Sequence, residues 1–417
     1  MSIRSILLAL CLCGAQIAAV AVAADLAIVG VRVYAAPDAE ARDDATVLVR
    51  DGRIHAVGAA AEIQVPHGME RIDGAGKVLV AGFWNSHVHL LSPVLADAAA
   101  RSADELAQAL QDAFTRWGFT TVFDLAGLPG NTAALRRRVE AGELEGPAIL
   151  HVDAPFYPQD GTPIYAREFY RQRGAPSAEV ATAEEARARA RRQIADGADG
   201  VKVFAGAIVG GPVPVLPLDV DIARAVVEEA HAAGKPAFAH PSDPRGIEIA
   251  LAAGVDVLAH TTAATGPWGD DLVRRLREAD VALVPTLTLF DHELRKEQAP
   301  AAVLQRFLDN ATQQVRVYAA AGGTLLFGTD VDFIPQVDTR REFELLALAG
   351  LDWRQVLASL TTAPARRFGQ DARTGRIAPG LQADLVLLDA DPATDVTGFA
   401  EVHATIRGGR ILYRKPD

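Results

Sequence analysis

From Val78 onward the chain alternates short apolar runs of strand character with amphipathic helical stretches. No other feature restricts the fold as much. Parallel strands need a long crossover, and a helix after each strand supplies it, so the alternation predicts parallel βαβ units. The strand-like runs are 78–90, 120–124, 148–152, 200–204, 236–240, 255–260, 282–286 and 324–330. Helical spacing of apolar residues is clearest over 103–117, 181–195, 220–233, 246–253, 270–280 and 301–321, with two more helices near 340–349 and 353–360. Eight strands, most followed by a helix, is the count of a (β/α)₈ barrel. Segments 156–177 and 206–217, rich in Gly, Pro or Tyr, read as long functional loops.

Both chain ends carry a different pattern. Leu26–Val33, Ala45–Arg50 and Arg53–Val57 alternate as short strands, with Asp51-Gly52 as a hairpin turn. Short strands return at Ala383–Leu388, Val402–Ile406 and Arg410–Tyr413. The expected fold class is therefore α/β: a (β/α)₈ TIM barrel over 81–367, inserted in a small β-sandwich domain formed from 25–80 and 368–417.

Residues 1–24 read as a signal peptide. Arg4 precedes an apolar run, Ile6 to Val20, and Ala21-Val22-Ala23-Ala24 offers a small-residue cleavage site. An uncleaved anchor is the alternative, although the run is short for a span. The expectation is an exported protein, periplasmic or secreted, with no stable membrane span after cleavage. Cys11 and Cys13, the only cysteines, fall inside this segment. The mature chain then has no disulfide, no thiolate ligand and no cysteine nucleophile. A net charge of −12 without a basic run argues against nucleic acid and anionic membrane surfaces as partners. The expected partner is a small-molecule substrate, and a homo-oligomer is compatible with this composition.

Polar residues recur at the carboxyl ends of the strand signals, where barrel active sites sit. His87 and His89 end the first, Lys202 lies on the fourth, His240 ends the fifth, His260 the sixth and Asp330 the eighth. Residues two apart on a strand point the same way, so His87 and His89 can grip one ion. A lone His-x-His pair is equally a strand end with two solvated histidines. Four histidines, a lysine and an aspartate at one end of the strands favour a metal centre. Nitrogen and oxygen ligands suit Zn²⁺, Mn²⁺, Fe²⁺ or Co²⁺, with Zn²⁺ the default.

With these residues in place, the chain resembles the amidohydrolase superfamily. The motifs are Gly82-Phe83-Trp84-Asn85-Ser86-His87-Val88-His89, Gly118–Asp124, Gly200–Phe204, the two strand-end histidines, Gly328-Thr329-Asp330, Thr362–Arg366, Gly375–Gly380 and Ala383–Val386. It is similar to the imidazolonepropionase-like branch, which includes metal-dependent dipeptidases of the prolidase type. The resemblance implies two divalent ions, His87, His89 and Asp330 on one, His240 and His260 on the other, bridged by a CO₂-derived carbamate on Lys202. The competing reading of Lys202 is a lysine bonded to a carbonyl or paired with an acid beside a single ion. A metal-activated hydroxide would attack an amide or peptide bond of a dipeptide or N-acyl amino acid, with Asp330 as catalytic base.

Two loops depart from that branch, 157–165 and Pro241-Ser242-Asp243-Pro244-Arg245. His151, Tyr165, Ser242 and Arg245 are the candidate substrate contacts, and for His151 a core or solvated histidine is an equal alternative. Trp268 reads as a packing residue, with stacking on a substrate ring as the alternative. The alternatives in function are a cyclic amide, imide or lactone hydrolase on the same site and a noncatalytic periplasmic binding protein.

Overall fold

The computed structural model describes residues 25–212 and 214–416. The expected signal peptide, with Cys11 and Cys13, lies outside the described residues. Among the described residues, no helix is long and apolar enough to cross a membrane.

The two chain ends share one mixed sheet of eight strands. Its order is Arg410–Arg414, Val402–Arg407, Leu385–Leu388, Val78–Ala81, Leu26–Val33, Arg42–Arg50 and Arg53–Ala59, with Glu70–Asp73 paired to Leu26–Val33. The halves meet at an antiparallel pair, Ala81 opposite Leu385 and Val78 opposite Leu388. The hairpin forms as expected. Asp51 and Gly52 both have positive φ, 49° and 73°, as a two-residue type I′ turn requires. Alternate residues of this sheet, including Ile28, Val47, Leu79, Leu385 and Ile406, share one apolar cluster.

Seven parallel strands follow, in two sheets. The first joins Phe83–Val88, Phe119–Asp124 and Ala148–His151. The second joins Val201–Phe204, Ala237–His240, Val257–Leu258 and Ala282–Leu283. Hydrogen bonds link them. Phe156 donates to the Lys202 carbonyl at 2.8 Å and its own carbonyl accepts from Phe204 at 2.9 Å. The expected eighth strand is not a regular strand. Segment 324–330 touches its neighbours by single bridges, Leu283 to Leu325 and Val331 to Val88. Ser86 donates to the Phe327 carbonyl at 2.7 Å, and then Asp330, at φ 60°, turns the backbone out of ladder geometry.

Residues from both sheets face one another in one apolar cluster, with Phe123, Val152, Phe238, Val257, Val284 and Leu326 among them. The Phe123 ring lies 4.9 Å from Phe238 and 5.0 Å from Phe368. Each such buried ring contributes on the order of 2–3 kcal/mol. A larger cluster lies between the strands and the helices that follow them. Helix starts are capped locally: Ser102 and Glu105 form a capping box, and Thr182 and Asp219 cap the next two long helices.

Other expectations need correction, and a helix, Asn131–Glu140, follows the second strand where none was expected. Segment 156–177 is not an open loop, since it holds the helix Ile164–Arg173. Segment 206–217 is a short hairpin, Gly206–Ile208 against Val215–Pro217. A helix, Leu287–Lys296, directly follows the seventh strand where no element was expected. The Thr and Phe residues of Leu287–Phe290 are weak helix formers, so the sequence signal there is faint.

Candidate metal centre

The strand Phe83–Val88 is buried throughout, so its polar residues need internal partners. Asn85 supplies the first. Its amide donates to Thr329 Oγ1 at 2.7 Å and accepts from the Thr329 and His87 amides at 3.2 and 3.3 Å. The Asp330 amide donates to the His87 carbonyl at 2.9 Å. One buried amide therefore fixes the first strand against segment 324–330, and with it His87 against Asp330. Gly328 makes the approach feasible, because a Cβ there would sit 2.3 Å from Val284 Cγ1 and 2.9 Å from His87 Cβ.

Asp330 is the hub. Its Oδ1 lies 2.8 Å from His89 Nε2 and 3.3 Å from His87 Nε2, and its Oδ2 lies 3.5 Å from His260 Nε2. The His260 ring stacks on His87 with centroids 4.4 Å apart and meets His240 edge-on at 5.2 Å. Phe204 stacks on His240 at 4.5 Å and fixes its plane. Lys202 Nζ lies 3.2 Å from His87 Nε2 and, among the described residues, makes no ion pair. All six expected ligands are thus gathered in one place. One subset, His87, His260 and Asp330, offers ligand atoms that all lie within 4.8 Å of one another. This subset cuts across the expected division into a His87/His89 pair and a His240/His260 pair.

The electrostatics suit cation binding. Burial holds His87 and His240 well below the usual imidazole range, helped by neighbouring cationic groups, and lowers His260 to about 3. These rings are neutral at pH 7 and keep a lone pair to offer. Burial also lowers Lys202 to about 8. For Asp330, burial pushes upward, but His260, His89 and Lys202 outweigh it and hold the carboxyl below the usual range. Asp330 Oδ1 and the Nδ1 atoms of His87 and His89 are buried without a well-formed hydrogen bond. Neutral imidazoles converging on an ionised, unsatisfied carboxylate form a donor set that fits a divalent ion.

The expected substrate contacts divide. Tyr165, on the helix Ile164–Arg173, is 40% exposed, and the surroundings of its hydroxyl, burial first and then Asp330, push its pKa up. Its ring meets Phe333 at 5.0 Å, and Phe333 meets His89 at 6.4 Å. Ile164 and Ile208 are exposed apolar side chains. Ser242 spends its hydroxyl on the Gly206 carbonyl at 2.7 Å, tying two loops together. Arg245 is exposed in the first turn of the helix Pro244–Ala253. His151 is buried apart from the cluster, its pKa lowered to about 4 by burial and by Arg136, Arg137 and Lys235. Trp268 packs against Tyr318 and donates to Thr262 Oγ1 at 2.9 Å.

Sequence reading missed several residues. Asp124 is buried at the second strand end, accepts from Thr132 Oγ1 at 2.5 Å and lies 3.9 Å from His89 Nδ1. It sat in a quoted motif, where its strand-end position was the available signal. Thr286 contacts His260 Nδ1, and Glu342 holds the backbone beside Thr286. No local pattern marks either.

The model of the amidohydrolase family matches residues 78–412. The ochratoxinase of Aspergillus niger is 25% identical, over 90% of this chain and 84% of its own length. Among solved structures, a provisionally assigned prolidase from Bifidobacterium longum superposes with TM-score 0.77 at 26% identity, covering 94% of this chain and 95% of that one. A Xaa-Pro dipeptidase with methionine bound in its active site gives TM-score 0.77 at 20% identity, covering 94% and 100%.

Proposed function

This chain belongs to the amidohydrolase family and is a hydrolase of carbon–nitrogen bonds, and from that premise we propose that it cleaves an amide or peptide bond in a small molecule such as a dipeptide or N-acyl amino acid. The observation that carries the reading is the convergence of His87, His89 and His260 on the single carboxylate of Asp330, with Lys202 against His87 and His240 against His260.

His87, His89 and Asp330 would hold one divalent ion, and His240 and His260 a second, Zn²⁺ being the default. Such ions supply Lewis acidity to the scissile carbonyl and bring the pKa of water to about 7. Asp330 then takes the proton of the attacking water and passes it to the leaving nitrogen. Lys202 would bridge as a carbamate. Its neutral amine adds to CO₂, a new N–C bond forms and one proton leaves. Burial lowers the cost of the neutral amine, which supports this step. The aromatic pair Tyr165 and Phe333, which meets His89 through Phe333, suits an aromatic or branched substituent beside the scissile bond.

The two parallel sheets and segment 324–330 fit a closed (β/α)₈ barrel over 81–367, with the chain-end sheet of 25–80 and 368–417 curled into its β-sandwich companion. Residues 1–24 are proposed to export the protein, which N-terminal sequencing of recovered protein would test.

Purified protein should contain a divalent metal and carry the mass increment of one CO₂. It should hydrolyse dipeptides or N-acyl amino acids in preference to lactams and lactones. Metal-free protein inert on all four classes even after Zn²⁺ is supplied would overturn the reading.

A further inference from the structure

The seventh parallel strand is the one barrel-type strand end after the third to which no ligand was assigned. The chain leaves Ala282–Leu283 through Val284 and Pro285 and enters the helix Leu287–Lys296 at Thr286. Thr286 has φ 46° and ψ 54°. A β-branched residue seldom adopts this left-handed conformation, which costs on the order of 1–3 kcal/mol and persists only where surroundings impose it.

The imposing group is Glu342, fully buried on the helix Arg340–Leu348. Its carboxylate accepts from the Leu287 amide at 2.9 Å, the Thr288 amide at 2.7 Å and the Thr288 hydroxyl at 2.7 Å. A helix's first amides usually bond the side chain of its own N-cap residue. Here a carboxylate 54 residues away does so for Thr288. The Thr286 side chain makes no capping bond to its own helix and is free to turn elsewhere.

It turns toward the metal centre. Thr286 Oγ1 donates to the Pro285 carbonyl at 2.9 Å and makes a short contact with Nδ1 of His260. A hydroxyl has one proton, and a carbonyl can only accept. With that proton on the Pro285 carbonyl, Oγ1 must accept from His260. Nδ1 of His260 then carries the ring proton, and Nε2 presents its lone pair on the Asp330 side, 3.5 Å from Oδ2.

We propose that Glu342 and Thr286 are positioning residues that lock the tautomer and ring orientation of His260, and through it strengthen the grip of the centre on a divalent cation. The metal part of this inference rests on the proposed function; the tautomer part does not. Outer hydrogen bonds of this kind change metal affinity by about 10–100-fold.

Three variants test it. Thr286→Val removes the hydroxyl at nearly constant volume, Thr286→Ser retains it, and Glu342→Gln keeps the shape of the clamp without its charge. Ring-nitrogen NMR of the metal-free protein, with the His260 signal identified by His260→Gln, reads the tautomer directly. Zn²⁺ titration and the absorption spectrum of the Co²⁺-loaded protein read the grip. The wild-type and Thr286→Ser proteins should hold the Nδ1–H form. Thr286→Val should populate both tautomers, bind Zn²⁺ about 10–100-fold more weakly and shift the Co²⁺ spectrum. Glu342→Gln should move all three readouts in the same direction while circular dichroism stays unchanged, and it carries the test if Thr286→Val does not fold. An unaltered tautomer and unaltered affinity in Thr286→Val, or in Glu342→Gln if only that variant folds, would overturn the proposal. A tautomer that follows Thr286 in a wild-type protein binding no divalent ion would uphold the relay and overturn the proposed function instead.

Discussion

Replacing Lys202 by Met should stabilise the metal-free protein and cripple the metal-loaded one. Lys202 is 1% exposed, with its amine beside His87 and, among the described residues, no carboxylate within ion-pair distance. Burial lowers its pKa from 10.5 to about 8. At about 1.4 kcal/mol per tenfold, that displacement costs the metal-free fold about 3 kcal/mol at pH 7. The folded-state value lies below the unfolded one, so the unfolded chain holds the extra proton between them. The penalty is complete below pH 8, fades as the pH rises, and is gone above 10.5. Met has similar length and no branching, so it removes the amine without opening a large cavity. Urea unfolding of chelator-treated protein should therefore show Lys202→Met more stable by up to about 3 kcal/mol at pH 7, with no gain above pH 10.5. Adding Zn²⁺ should reverse the order. At a hundredfold excess over Kd the wild-type protein gains about 2.7 kcal/mol, which the variant should largely forgo along with hydrolysis. A metal-free variant less stable than wild type at pH 7 would refute the reasoning, since the amine would then be solvated or paired rather than stranded.

Asp330→Asn should lower hydrolysis about 10²–10⁴-fold with an unchanged fold, as steady-state kinetics and circular dichroism would record; near wild-type turnover would remove Asp330 from proton transfer. Tyr165→Ala and Phe333→Ala should raise KM about tenfold for substrates with an aromatic substituent, roughly the 1–3 kcal/mol of one hydrophobic contact, while leaving methyl analogues nearly unaffected. Equal effects on both substrate series would place the substituent elsewhere. Gly328→Ala should cost about 1–3 kcal/mol, because its Cβ would press on Val284 and on His87 Cβ, and metal content should fall with it. An unchanged urea midpoint would contradict that packing.

Much of the centre is legible in the sequence because its signals are local. A strand run ending in His87-Val88-His89, or in His240, announces itself without knowledge of any partner. The same holds for the Asp51-Gly52 turn, where two positive φ values decide the connection. What escaped depends on distant pairing. Asn85 is an ordinary buried amide until Thr329 is beside it, 244 residues later. Nothing in the local sequence around Ser242 and Arg245 shows what the rest of the fold offers them. In the fold, Ser242 donates to the Gly206 carbonyl and Arg245 is exposed.

The chain's local chemistry determined its mixed α/β class, most of the order of its strands and helices, and the identity of the five residues gathered with Asp330. Periodicity and residue type are short-range properties, and barrel-type strands deliver their ends to a common face whatever the details. Tertiary structure decided the rest: which ligand atoms share one tight group, what the His260 ring meets at Nδ1, and what holds the left-handed Thr286 in place. Those outcomes hang on hydrogen bonds between segments tens to hundreds of residues apart, and such bonds have direction and length only once the backbone has closed around them.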